Sequence, residues 1–308
     1  HFFRYAMNVL SHVLKECERL HFNPAELINV EKRVALLIKE VAQSKYSLME
    51  EAICYGFEEL YPLWQYYAPK QRGKNPKGDN IPFGDAAEKI VGISLLAGLL
   101  EMLGTKGFLG PIGLPHGGDY RWVLAPEGEI CVLHLDIKAT GPRDNPKELV
   151  VSTNQVTGFP DLEETQRRSM FVSLPLKVGK SKKKEPDDVY PALPPLVPFR
   201  GKIIPQITTF VKVIYEQKEH SQQLSQLKIA LVPNGILLLG PQPHYSEHLK
   251  VIPFRRGKDD KKRKDVAEGR ARFRIPLDWL AKLDEWRLSQ LPMGLPCKGQ
   301  EDGCVSLS

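Results

Sequence analysis

The chain reads Asp119-Tyr120-Arg121-Trp122-Val123-Leu124, then Pro126-Glu127-Gly128-Glu129, then Ile130-Cys131-Val132-Leu133-His134-Leu135-Asp136-Ile137-Lys138. The two flanks are rich in aromatic and β-branched residues, which favour strands. The middle holds Pro and Gly where a β-turn tolerates them. Folding the segment about its Glu127-Gly128 centre makes a hairpin and sets Asp119 directly opposite Asp136. Side chains in that relation sit roughly 5 Å apart at Cβ. Two carboxylates so close repel each other unless a cation lies between them. Strand side chains alternate, so Lys138 shares a face with Asp136. His134 also lies on that face, opposite Leu133 and Leu135, and reads as a packed or metal-adjacent neighbour rather than a general base. One patch thus gathers two carboxylates and an ammonium, the set that metal-assisted phosphodiester hydrolysis requires.

The spacing of Asp136-Ile137-Lys138 is weak by itself. An acid-x-base triplet should arise about 5 times by chance in so ordinary a composition. The triplet alone fits the solvated end of a buried strand equally well, and the register with Asp119 is what favours a site.

The chain has 308 residues, 42% hydrophobic and 26% charged, enough for a large core in one or two domains. Its net charge is +6. The basicity is concentrated: Lys250 to Arg274 holds 11 Lys/Arg against 4 acids, one patch on an otherwise near-neutral chain. The five cysteines are scattered, with no Cys-x-x-Cys pair and no zinc spacing, and read as free thiols in a reducing cytoplasm. Cys131 reads as a small core residue. The longest apolar stretch, Ile90 to Leu100, is too short to span a bilayer, so no membrane is expected.

Residues 1 to about 60 read as helical, with Val30, Val34, Leu37, Ile38 and Val41 on one face. Ser47 with Glu50 resembles a capping box for the next helix, whose apolar side carries Ile53, Phe57 and Leu60. Residues 71–80 form a polar loop with Arg72, Lys74 and Lys77. Asp85 is expected to cap a helix over Ala86 to Leu103, with Glu88 in its first turn. Strands are expected over Glu148 to Ser152, Ile207 to Tyr215 and Leu249 to Phe254. Asn234-Gly235 signals a hairpin, and Leu277 to Leu291 a closing helix.

Several stretches together resemble the BglI family of type II restriction endonucleases, within the PD-(D/E)xK nuclease superfamily. They are Arg72-Gly73-Lys74, Pro76-Lys77-Gly78-Asp79, Ile81-Pro82, Glu88-Lys89, Val91-Gly92, and Ile112-Gly113-Leu114-Pro115 with Asp119. The densest block is Asp136-Ile137-Lys138 with Gly141-Pro142-Arg143-Asp144, then Asn154-Gln155-Val156 and Gly158. Val232-Pro233-Asn234-Gly235, Phe254-Arg255 and Gly257-Lys258-Asp259-Asp260 follow in the same order. The resemblance runs from about Tyr61 to Arg274.

It implies an α/β fold: the PD-(D/E)xK nuclease core, a mixed central β-sheet flanked by helices, with added DNA-recognition hairpins. Residues 1–60 would then be an N-terminal helical region packed on the core, 61–298 a single nuclease domain with its recognition elements, and 299–308 a disordered tail. Asp119 and Asp136 would ligate Mg2+ with the backbone carbonyl of Ile137. Lys138 would stand beside the attacking water and scissile phosphate. Glu88 would be the extra acid on a neighbouring helix. Asp144, Lys258, Asp260 and either Arg272 or Arg274 would read bases, since Arg and Lys suit guanine and Asp suits cytosine. Arg72, Lys74, Lys77, Lys261 and Lys262 would hold phosphates. The implied target is double-stranded DNA at an interrupted palindrome with GCC and GGC half-sites. It would be cut by a homodimer in the cytoplasm of a bacterial or archaeal cell. One departure stands out: Gly118 precedes Asp119 where the superfamily has Pro. A repair or junction nuclease on the same core, or a DNA-binding module without catalysis, are the alternative readings.

Overall fold

The structure, a computed structural model, describes residues 22–55, 59, 83–112, 119–140, 145–152, 155–157, 177–178, 182–183, 193, 195–217, 222–234, 250–252 and 272–291. Expectations on Phe57, Leu60, the 71–80 loop, Asp144, the 253–271 basic run and the tail after 299 lie outside these residues.

Helix α1, Pro24–Ser44, opens on Asn23, whose side chain accepts from the Ala25 N–H at 3.0 Å. Proline at the first helical position loses no needed donor. The expected stripe is its core face: Val30, Val34, Ile38 and Val41 are all buried. A further helical stretch covers 46–55. It begins one residue before Ser47, so the expected capping box does not form. The Met49 N–H instead bonds the Lys45 carbonyl, continuing the turn from α1.

Helix α2, Phe83–Gly107, starts before Asp85, and its regular turns end at Leu103 as expected, because Gly104 leaves the helical region at φ 60 and the last residues follow that kink. Asp85 is therefore inside the first turn rather than at the cap. The helix is long and apolar enough to cross a membrane by length and composition, against the expectation from Ile90 to Leu100 alone. Its packing gives it another role. Ala87, Val91, Leu95 and Leu99 are fully buried between α1 and the central sheet. Gly98 lets the two helices approach, because a Cβ there would lie 2.6 Å from Val41.

The central sheet is mixed. Its strands are β1 Phe108–Pro111, β2 Tyr120–Leu124, β3 Cys131–Thr140, β5 Leu196–Phe199, β6 Lys202–Gln217, β7 Gln222–Val232 and β10 Leu288–Leu291. The order is β1-β2-β3-β6-β7-β10, with β5 paired to the start of β6. Only β3 and β6 run parallel; the other neighbours are antiparallel. A second sheet has β9, Arg272–Pro276, between β8, Lys250–Ile252, and β4, Glu148–Ser152.

The two faces of the central sheet bury different cores. Cys131, Leu133, Leu135, Ile137, Ile207, Val211 and Val213 pack with α1 and α2. Phe210, Ala230 and Val232 pack on the other face with Leu149, Val151, Ile275 and Trp279, which come from β4, β9 and α3, Leu277–Leu283. The closing helix expected to reach Leu291 stops at Leu283. Asp284 is extended, a short 3-10 turn follows, and Leu288–Leu291 joins the sheet against β7. Burial of Leu291 on Leu227 outweighs the helical pattern. The strand of the expected Asn234 hairpin ends at Val232, and residues 235–249 lie outside the described residues. Asn234 itself is buried. Cys54 is disulfide-bonded, contrary to the expectation of free thiols throughout, whereas Cys131 is a free, buried thiol as expected.

Candidate active site

The hairpin of β2 and β3 has the register read from the sequence. Tyr120 opposes Leu135 and Leu124 opposes Cys131. Its turn places Glu127 at φ 52 and Gly128 at φ 87, a left-handed pair in which glycine relieves the strain of one residue. Asp119 stands one residue beyond the paired end of β2. Its Oδ2 accepts the Ile137 N–H at 2.7 Å. A strand residue presents its N–H and C=O to the same neighbour. The Ile137 carbonyl therefore shares the side on which Asp119 stands.

Asp136 is 1% exposed, in contrast to solvent-exposed Asp119. The Lys138 ammonium lies 2.5 Å from its Oδ1, but no aligned hydrogen bond reaches that oxygen. Gln155 donates to its Oδ2 at 2.5 Å. Burial pushes the Asp136 carboxyl up to about 6; Lys138 opposes the rise and Asp119 adds to it. Burial thus outweighs the ion pair. A buried acid beside a second acid suits a hard cation. Among the described residues no cluster of three or more His, Cys, Asp or Glu forms a metal site. Two carboxylates with a backbone carbonyl are hard oxygen donors of the kind that bind a divalent cation.

Glu88 sits in α2 facing this corner. Burial raises the Tyr120 hydroxyl pKa, and the charges of Asp119 and Glu88 add to it in that order. Tyr120 lies against Gly92, where a Cβ would come 2.2 Å from its hydroxyl. The Val91-Gly92 pair is therefore a packing requirement of the site's edge.

His134 is fully buried, its Nδ1 3.0 Å from the Arg121 guanidinium opposite it on β2. Burial, Arg121 and Lys138 together push it down to about 3, so it is neutral at physiological pH. The reading of it as a packed neighbour fits.

The parallel strand β6 sets Thr208, Phe210 and Lys212 beside His134, Asp136 and Lys138. Lys212 is buried and donates to the carbonyls of Asn145 at 2.7 Å and Glu148 at 2.6 Å. Lys228 on β7 donates to the Pro146 carbonyl at 3.2 Å. Two ammonium groups thus hold residues 145–148 at the entry to β4. Arg274 on β9 pairs with Glu148 at 3.1 Å. The backbone of Arg272 lies between Ile252 and Ser152. Arg72, Lys74, Lys77, Lys258, Asp260, Lys261 and Lys262 are outside the described residues. Sequence reasoning gave no role to Gln155 or Lys212. A lone lysine inside the apolar run Phe210-Val211-Lys212-Val213 was the one available signal for the latter.

The family profile described as Restriction endonuclease BglI matches residues 10–291. A curated relative, the type II restriction enzyme BglI of Bacillus subtilis, is 30% identical over 275 residues, covering 82% of this chain and 88% of its own. The solved structure of BglI bound to its DNA recognition sequence superposes with a TM-score of 0.64 at 28% identity, covering 95% of this chain and 99% of that one. The tetrameric restriction endonuclease SfiI bound to cognate DNA is more distant, at TM-score 0.48 and 19% identity. On the profile match and the curated relative, the chain belongs to the BglI restriction endonuclease family and is a type II site-specific deoxyribonuclease.

Proposed function

We propose that this enzyme uses Mg2+ and acts as a homodimer, making double-strand cuts at an interrupted palindrome with GCC and GGC half-sites. The observation that carries the reading is the Asp119–Asp136 pair closing on Lys138 at the end of one hairpin. A bound divalent ion would supply Lewis acidity at the scissile phosphate and a water of lowered pKa. Asp119, Asp136 and the Ile137 carbonyl would hold it. Lys138 would turn from Asp136 towards the phosphate and stabilise the charge that builds there. Glu88 would order water or a second ion from the α2 side.

Recognition falls to the elements around the second sheet. Asp144, Lys258, Asp260 and Arg272 or Arg274 would read base edges. Arg72, Lys74, Lys77, Lys261 and Lys262 would grip phosphates and make binding salt-sensitive. The Lys212 and Lys228 tethers support a mechanical link between the Asp144 turn and the cutting strand. A palindrome read by one protein calls for a two-fold dimer. The working compartment would be the cytoplasm of a bacterial or archaeal cell.

The test is incubation of the full chain with a long DNA of known sequence and Mg2+, followed by mapping of the ends. Discrete ends at every GCC/GGC palindrome of one spacing, and none with EDTA, are expected. Random nicking, or discrete ends at another sequence, would overturn the assignment of half-sites.

A further inference from the structure

We propose that Gln155 is a positioning residue that aims the Asp136 carboxylate at the metal. The inference rests on the metal-site reading above and extends it. Gln155 is the donor to Asp136 Oδ2, on the opposite oxygen from the one facing Lys138. A carboxylate held by one oxygen cannot swivel, so its other oxygen keeps a fixed direction. Outer partners of this kind orient ligating groups and tune their affinity.

The amide is itself anchored. Two residues on, the Thr157 hydroxyl donates to Asn234 Oδ1 at 2.6 Å. Asn234 Nδ2 donates to the Pro195 carbonyl at 2.8 Å, and its backbone N–H to Glu31 Oε1 at 2.7 Å. Glu31 Oε2 in turn accepts from buried Arg287 at 2.7 Å. Thr157 also bridges Leu193 through the backbone. A buried polar chain therefore runs from α1 through Asn234 to the residues that carry Gln155. The same residues follow directly from β4, whose partner β9 holds Arg272 and Arg274. Gln155 thus joins the segment that comes after β4 to the buried carboxylate by a hydrogen bond.

The test replaces Gln155 by Met, which keeps length and removes the donor, in the full-length enzyme on its DNA. Ca2+ serves as a non-cutting probe, titrated calorimetrically. Gln155→Met should weaken Ca2+ by about 10–100-fold, the usual cost of losing such a partner, and raise the Mg2+ needed for half-maximal single-turnover cutting in step. Metal-free binding to specific DNA should stay within about twofold of wild type, a readout that a general loss of structure would not spare. Thr157→Val, which cuts the anchor and leaves the amide, should weaken Ca2+ in the same direction by a smaller factor. It decides the matter should the Met variant not fold. Wild-type Ca2+ affinity in these variants overturns the proposal. Asp136→Ala runs alongside: if it too binds Ca2+ normally, the metal-site reading itself falls, whereas loss in Asp136→Ala alone removes only Gln155.

Discussion

Asp136→Asn should make the metal-free protein more stable while ending its chemistry. The wild-type carboxyl titrates at about 6 in the fold because it is buried, against 3.8 as its ordinary value. The folded state therefore holds this proton more tightly than the unfolded state does. Stability contributed by the neutral acid is lost as pH rises from about 4 to about 6. An asparagine mimics the protonated acid at every pH. The linkage relation puts the gain of the variant over wild type at about 3 kcal/mol at pH 8 and at roughly half of that at pH 5. For a chain of this size the larger figure corresponds to a rise in Tm of about 5 °C. The assay is urea or thermal unfolding in EDTA at both pH values. Added Mg2+ should raise the wild-type Tm and leave the variant unmoved, since only a native-state ligand site couples to folding. A gap of zero, a negative gap, or one identical at pH 5 and pH 8 would refute the claim that charge burial at Asp136 governs its energetics.

Lys138→Met should slow single-turnover cleavage by about 10²–10³-fold, the cost of losing one charge stabiliser, with metal-free specific DNA binding unchanged by filter or gel-shift measurement. Gly92→Ala should cost about 1–3 kcal/mol in urea unfolding, because its methyl group drives into Tyr120. It should also slow cutting through the displaced Asp119 neighbour. Glu31→Ala leaves buried Arg287 with Asp284 as its one carboxylate partner among the described residues. It should lose about 3–5 kcal/mol, as broken buried ion pairs do, while the remaining folded enzyme still cuts. Lys258→Ala should weaken specific binding by about 1–3 kcal/mol per half-site, with non-specific binding nearly unmoved in competition titrations.

The hairpin was legible because period-two alternation and a two-residue turn centre fix register without help from the rest of the chain. Strand β4 was read to its bounds for the same reason, as was the α1 stripe from Val30 to Val41. Failures came where long-range packing overrode local pattern. Leu288–Leu291 has helical spacing with Leu280 and Leu283, yet β7 offers it an unpaired edge. Ser47 and Glu50 have capping chemistry, but Lys45 already continues the preceding turn. Asn234 is a buried junction for Thr157, Pro195 and Glu31, a role its hairpin signal did not announce, and the far side of that hairpin lies outside the described residues. In the candidate site, Asp119, Asp136 and Lys138 share one local hairpin and could be found from its register. Gln155 and Lys212 reach the site across the sheet from separate segments, and no sequence period encodes such a meeting.

Diffraction from crystals of the enzyme–DNA complex soaked in Mn2+, collected at the manganese edge, tests the central claim most directly. The account predicts an anomalous peak within ligand distance of the Asp119 and Asp136 carboxylates, with the Lys138 ammonium turned towards the scissile phosphate. Carboxylates pointing apart with no peak between them, in crystals whose DNA is nonetheless cut, would contradict it.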